Sequence, residues 1–307
     1  MGRNLKNLFF GILIFGSIGF GVNFLDANFS QSPRATTAQI SPTHFRPTLK
    51  AEADKLEINA EAGIALFLDN NGETRVLFDK NAETPLPIAS LTKLMGAVVI
   101  AENYSLDKTI EITGEAADKP GNGSGQLKTG DKFLMSDLFK VMLVESNNSA
   151  AMALSQIKGT DVFVGLMNQK ANDLNLESMN FINPTGLDML NTTAINQSSA
   201  RDLAQLAAFI LQNKTYIFEI SLLKEFALRD INGALNHTAE NTNALLEKIP
   251  LMVGGKTGET PKSGGCLLLV VQAPKSRGYL ISVVLDSPDR FAEMEKIINW
   301  TRSSYQW

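Results

Sequence analysis

A chain of 307 residues that is 44% hydrophobic and 20% charged has the composition of a globular protein with room for a substantial core. Its net charge of −4 supplies no basic field, so a nucleic-acid partner is not expected. Cys266 is the single cysteine and His44 and His237 are the two histidines, which excludes a disulfide framework within the chain and gives no ligand cluster for a metal.

Arg3 and Lys6 precede an apolar run, "LFFGILIFGSIGFGVNFL", from Leu8 to Leu25. A charged start followed by a run near the minimum length for a bilayer reads as an export segment over residues 1–25, either cleaved or kept as an anchor in the cytoplasmic membrane. No cysteine lies near it, so a lipid-modified cysteine is not the anchor. Residues 26–50 are rich in Ser, Thr, Pro and Gln without apolar period and read as a disordered linker. Residues 51–307 are left as one domain.

Within that domain, "AGIALFLDNNGETRVLFDK" from Ala62 predicts a β-hairpin. A helix follows Pro87 and runs to about Asn103, and a glycine-rich loop with short extended pieces comes next. Ser136 and Asp137 open a second helix, broken at "SNNS" and resumed from Ala150 to Ile157; further helical patterns cover about 161–175 and 199–213. Residues 104–214 therefore form a mostly helical lobe. After Tyr216 the runs "LKEFALRD", "LMVGGKTG", "GCLLLVVQA" and "GYLISVVLD" read as strands, while "NGALNHTAEN" reads as a turn-rich segment. Ser287 and Pro288 start a closing amphipathic helix. The expected class is α+β: one mainly antiparallel sheet built from both chain ends, with flanking helices, a helical second lobe and an active cleft between the lobes.

Three constellations carry chemistry. Ser90 and Lys93, in "PIASLTKLM", share one face of a helix start, where free N–H groups favour an alkoxide. Serine needs a base, and lysine serves only if its pKa drops by some 3 units, about 4 kcal/mol, through burial and a second cation. Taken alone, such a pair is ordinarily a capping serine and a solvated lysine. In "VESNNSA", Ser146 and Asn148 interrupt an apolar helix and could relay a proton and hold a carbonyl; alone they mark a helix end. In "VGGKTGETPKSGGC", Lys256 and Thr257 suit a substrate carboxylate on a strand edge, while Gly258 lets another chain lie close against the backbone. A phosphate loop fails there, because Pro250 stands where glycine is required. A histidine triad would have only His237, placed in the turn-rich segment.

In the order S-x-x-K, S-x-N and K-T-G, these pieces resemble the penicillin-binding protein and serine β-lactamase superfamily, and within it the low-molecular-mass D-alanyl-D-alanine carboxypeptidases. "SGQLKTGD", "NPTGLD" at 183–188, "NTN" at 241–243 and "GGKTGETPKSGGCLLLV" extend the likeness over about residues 58–305. The resemblance implies a β-lactamase-like fold and a serine D,D-carboxypeptidase acting outside the cytoplasmic membrane on peptidoglycan stem peptides, with β-lactam antibiotics as inhibitors and no cofactor or metal. Ser90 would be the nucleophile, Lys93 its base, Ser146 a proton relay and Asn148 a holder of the substrate amide. Lys256, Thr257 and Gly258 would bind substrate, and the backbone N–H of Glu259 would complete an oxyanion hole with that of Ser90. The same groups serve a D,D-endopeptidase that cuts cross-links. A serine β-lactamase would need a group that activates water, for which Glu177 is the candidate, although it reads better as a solvated carboxylate. Gly96, Ser149 and Glu259 depart from the family's usual residues, and a carboxylate at 259 could repel the terminal carboxylate of a substrate. The family's additional C-terminal β-domain is expected to be absent.

Overall fold

The apolar runs near the two ends of the chain pair with each other. In the computed structural model, which describes residues 45–121, 126–189 and 193–307, the longer strands are β1 (Ala62–Asp69), β2 (Thr74–Lys80), β3 (Glu225–Arg229), β4 (Leu235–Glu240), β5 (Met252–Thr260), β6 (Gly264–Gln272) and β7 (Gly278–Ser287). The longer helices are α1 (Thr92–Asn103), α2 (Met135–Val144), α3 (Asn148–Ser155), α4 (Thr160–Asp173), α5 (Ala200–Asn213), α6 (Tyr216–Ser221) and α7 (Arg290–Ser304). The main sheet runs β5-β6-β7-β1-β2 and is antiparallel throughout, with Ile64 opposite Val283 and Leu66 opposite Ile281 where the chain ends meet. The α+β class and the sheet built from both ends hold.

Both faces of this sheet are covered, which explains why its inner strands read as unbroken apolar runs and not as alternations. Ile64, Leu66 and Leu68 of β1, with Leu268, Val270, Ile281 and Val283, face the core of the helical lobe. Ala65 and Phe67, with Leu267, Leu269, Val271 and Val284, face α7 through Met294, Ile297 and Ile298. Each Val, Leu, Ile, Met or Phe side chain so removed from water contributes about 1.5–3 kcal/mol. In the helical lobe, α1 is buried from Thr92 to Ile100, so its sequence carries no polar stripe. A Cβ added at Gly96 would sit 3.7 Å from the Phe163 ring of α4, an ordinary contact.

Three expectations about boundaries need correction. Ser136 and Asp137 do not cap α2: the backbone carbonyls of Lys108 and Leu106 take the N–H groups of Met135 and Ser136 at 2.8 and 2.9 Å, so no side-chain cap is required. Ser287 stays in β7, opposite Gly265, and α7 is capped instead by Asp289, whose carboxylate accepts from Ala292 N at 3.0 Å. The segment holding His237 is strand β4, paired with β3 in a hairpin; only Leu228 and Ala239 of that hairpin are buried, so no apolar alternation announces it. The export segment and the linker up to residue 44 lie outside the described residues. Inside the remaining linker stretch, Thr48–Leu49 pairs with Tyr305–Gln306. Among the described residues no helix is long and apolar enough to cross a membrane.

Candidate active site

Ser90 stands in a 3₁₀ turn, Ala89–Leu91, that leads into α1 rather than in the first turn of α1 itself. Ala89 is held at φ 46, in the left-handed region, and the turn closes through Leu91 N to Ile88 O at 3.1 Å. Two segments keep it there. Gly258 of β5 lies so close that a Cβ on it would be 2.9 Å from Ser90 N, and one on Gly186 would fall 2.0 Å from Ala89 O. Neither position has room for any side chain.

Lys93, one turn on, is fully buried. Its Nζ lies 2.8 Å from Ser90 Oγ, 2.7 Å from Asn148 Oδ1 and 2.6 Å from the Thr185 carbonyl. A neutral amine has two N–H donors and one lone pair. Asn148 Oδ1 and Thr185 O can only accept, so they take the two donors, and the lone pair is left for the Ser90 hydroxyl. Burial first, and the charge of Lys256 after it, hold Lys93 well below the ordinary lysine range. The surroundings thus favour the form that can take a proton from Ser90.

Asn148 opens α3 and Ser146 sits in the turn between α2 and α3. Asn147 caps α3 by accepting from Ala150 N at 2.8 Å, which presents Asn148 to Lys93. The Asn148 amide also donates to the carbonyls of Pro120 (2.6 Å) and Gly121 (3.1 Å). Ser146 has φ 64, and its Oγ is buried without a hydrogen-bond partner among the described residues.

β5 is an edge strand of the sheet and forms the other wall. Lys256 is 2% exposed and donates to Thr257 O at 3.0 Å. Burial, then the charge of Arg290, bring its pKa down to about 7. Thr257 Oγ1 lies 2.6 Å from Thr242 Oγ1, in the "NTN" segment. Alternation along a strand sends Glu259 to the face opposite Gly258, away from the Ser90 turn. There its carboxylate pairs with Arg290 of α7. The feared repulsion therefore has a partner already in place.

The "NPTGLD" segment carries no chemical group that marks it in the sequence, yet it joins the two walls. Asn183 Oδ1 accepts from Thr185 N (3.0 Å), Thr185 Oγ1 (2.9 Å) and Gly186 N (2.7 Å), which fixes the Thr185 carbonyl on Lys93. Asp188 accepts from Thr260 Oγ1 (2.9 Å) and Lys262 N (3.1 Å), tying the segment to β5. Asn196 bridges Thr92 Oγ1 and the Asn183 carbonyl, both at 2.9 Å. The available signal was the turn chemistry of Asn, Pro and Gly together. Glu177 is exposed, as a solvated carboxylate should be. A cavity of about 780 Å³ beside Phe78 and Trp300 holds none of these groups.

Residues 49–289 match the peptidase S11 family, described as D-alanyl-D-alanine carboxypeptidase. The chain is 34% identical to D-alanyl-D-alanine carboxypeptidase DacC of Escherichia coli (strain K12), covering 83% of this chain and 65% of that one, so it spans just under two thirds of that relative. It is 30% identical to a D-alanyl-D-alanine endopeptidase of Pseudomonas aeruginosa, over 80% of this chain and 78% of the other. Among solved structures, the Streptomyces K15 DD-transpeptidase superposes with a TM-score of 0.71 at 28% identity, covering 81% of this chain and 99% of that one.

Proposed function

The chain belongs to the D-alanyl-D-alanine carboxypeptidase family, and we propose that it is a serine D,D-carboxypeptidase that removes the terminal D-alanine from peptidoglycan stem peptides. The observation that carries this reading is the Lys93 amine, buried, held toward its neutral form and 2.8 Å from the Ser90 hydroxyl. Lys93 takes the Ser90 proton as Oγ attacks the carbonyl between the two terminal D-alanines. The backbone N–H groups of Ser90 and Glu259 receive the oxyanion, about 3 kcal/mol per donor in comparable enzymes. Ser146 passes a proton to the leaving amine as the C–N bond breaks. Asn148 holds the substrate amide, Lys256 and Thr257 hold the terminal carboxylate, and Gly258 lets the peptide lie close along β5. Water then breaks the Oγ–C ester, and the proton returns to Ser90.

Residues 51–307 are the catalytic domain in this reading. The apolar run at 8–25 supports export to the outer face of the cytoplasmic membrane, with the segment kept as an anchor or cut away. β-Lactam antibiotics act as inhibitors by acylating Ser90. Incubation with a D-Ala-D-Ala pentapeptide, followed by HPLC, is expected to release one D-alanine. Mass spectrometry after penicillin treatment is expected to place the adduct on Ser90 alone. No release together with no adduct, or an adduct elsewhere, overturns the reading.

The endopeptidase reading draws on the Pseudomonas relative of that name. A cross-linked peptide dimer decides between them, since an endopeptidase cuts it faster than the pentapeptide. Rapid turnover of the antibiotic, with Ser90 regenerated, would instead indicate a β-lactamase.

A further inference from the structure

His237 lies apart from the groups above, yet it is fastened to the turn that carries two of them. Its Nε2 is 2.9 Å from Glu145 Oε1, with the two side chains 8% and 1% exposed. A carboxylate oxygen only accepts, so Nε2 donates. The same Oε1 accepts from Asn147 Nδ2 at 2.7 Å, and Asn147 in turn caps α3. α3 begins with Asn148, whose Oδ1 receives Lys93 Nζ. A continuous series of hydrogen bonds and one helix cap therefore runs from His237 to the catalytic amine.

Ser146, between Glu145 and Asn147, makes such support necessary. A left-handed residue other than glycine is strained and persists where its surroundings over-determine it. Glu145 and Asn147 are the residues on either side, and both are tied down. Beyond β4, Thr242 N donates to Val144 O at 3.2 Å and Thr242 Oγ1 meets Thr257 Oγ1. One stretch of chain, 237–242, thus contacts the end of α2 and the β5 wall.

We infer that His237 is a positioning residue for the Ser146–Asn148 turn, acting through Glu145 to hold Asn148 against Lys93 and Ser146 in its left-handed conformation. This rests on the reading of Ser146 and Asn148 as catalytic groups. It also separates His237 from any triad, since its ring nitrogens meet Asn236 Oδ1 (2.7 Å) and the Glu145 carboxylate (2.9 Å), not the nucleophile.

The test compares His237→Ala, His237→Gln and Glu145→Ala in the full chain by the rate of penicillin acylation, by kcat and KM on the pentapeptide, and by thermal melting. A misplacement of the turn by about 1 Å is expected to slow acylation about tenfold to a hundredfold in His237→Ala, with KM within about twofold of the parent. His237→Gln keeps an N–H for Glu145 and is expected to recover most of the rate. The double variant His237→Ala/Glu145→Ala is expected to be no slower than Glu145→Ala alone, because removing Glu145 already breaks the link to His237. If His237→Ala does not accumulate as folded protein, His237→Asn takes its place, its amide being too short to reach. Variants that melt earlier but acylate at the parental rate per folded molecule overturn the inference. Acylation of the parent at Ser90 is measured first: a parent without adduct overturns the catalytic reading, and a reactive parent with equally reactive variants overturns only the role of His237.

Discussion

Gly186 and Gly258 approach one atom, the backbone nitrogen of Ser90, from two segments far apart in sequence, and a Cβ on either would stand 2.9 Å from it. That nitrogen is one of the two proposed oxyanion donors. Its direction is therefore set by two backbones that tolerate no substituent, a form of preorganisation that costs nothing at the moment of reaction.

Gly258→Ala is expected to displace the Ser90 turn and reduce penicillin acylation by about a hundredfold or more. Gly186→Ala is expected to lose stability as well, because Gly186 has φ +84 and its Cβ would collide with the Ala89 carbonyl. Acylation rates measured beside melting curves separate the two effects.

Ser146→Ala offers the opposite separation. The hydroxyl has no partner among the described residues to lose, so the melting temperature is expected to stay within about 2 °C of the parent, whereas D-alanine release falls by about 10²–10⁴-fold if the hydroxyl relays a proton. Retention of full activity would remove Ser146 from the mechanism.

Lys256 makes a prediction about pH. Its folded pKa of about 7 lies below the unfolded value of about 10.4, so between these limits the unfolded chain binds more protons and stability rises with pH. Below pH 7 both states carry the proton and this slope vanishes. The stability difference between the parent and Lys256→Met is expected to grow in the parent's favour by up to about 1.4 kcal/mol per pH unit from pH 7 to 10. Urea unfolding at pH 6, 7, 8 and 9 checks the sign and the window.

Glu259 is proposed to act through its backbone, and its side chain pairs with Arg290 on the far face of β5. Glu259→Ala is expected to acylate within about threefold of the parent and to lose about 1 kcal/mol, since the carboxylate that is removed is itself exposed. Glu259→Pro lacks the N–H and is expected to lose acylation by about 10²–10³-fold. Equal rates in the two variants would exclude this N–H from the oxyanion hole.

The parts of the fold that could be read from residues are those where one side-chain type does one job. Buried strands such as β1 and β6 announce themselves as apolar runs, and a lysine in an otherwise apolar helix stands out at Lys93. The parts that could not be read depend on backbone atoms. The Thr185 carbonyl that receives Lys93 carries no residue signature, and the N–H groups that would mark the start of α2 are satisfied by neighbouring carbonyls. β4 is illegible for a related reason, since only Ala239 of the strand is buried and His237 bonds a neighbouring turn. Glu145 gives no signal either, because His237, which it holds, is distant from it in sequence.

The seam between β1 and β7 bears on how the protein is made. β1 leaves the ribosome early but must wait for β7, whose contacts with it span most of the chain, so closing the sheet incurs a large loop entropy and is slow. Until then β1 has only β2 as a hydrogen-bonded neighbour, and the other edge of an apolar strand stays open to aggregation. A chain held extended until synthesis is finished avoids that exposure, and one cut short before Gly278 never completes the sheet.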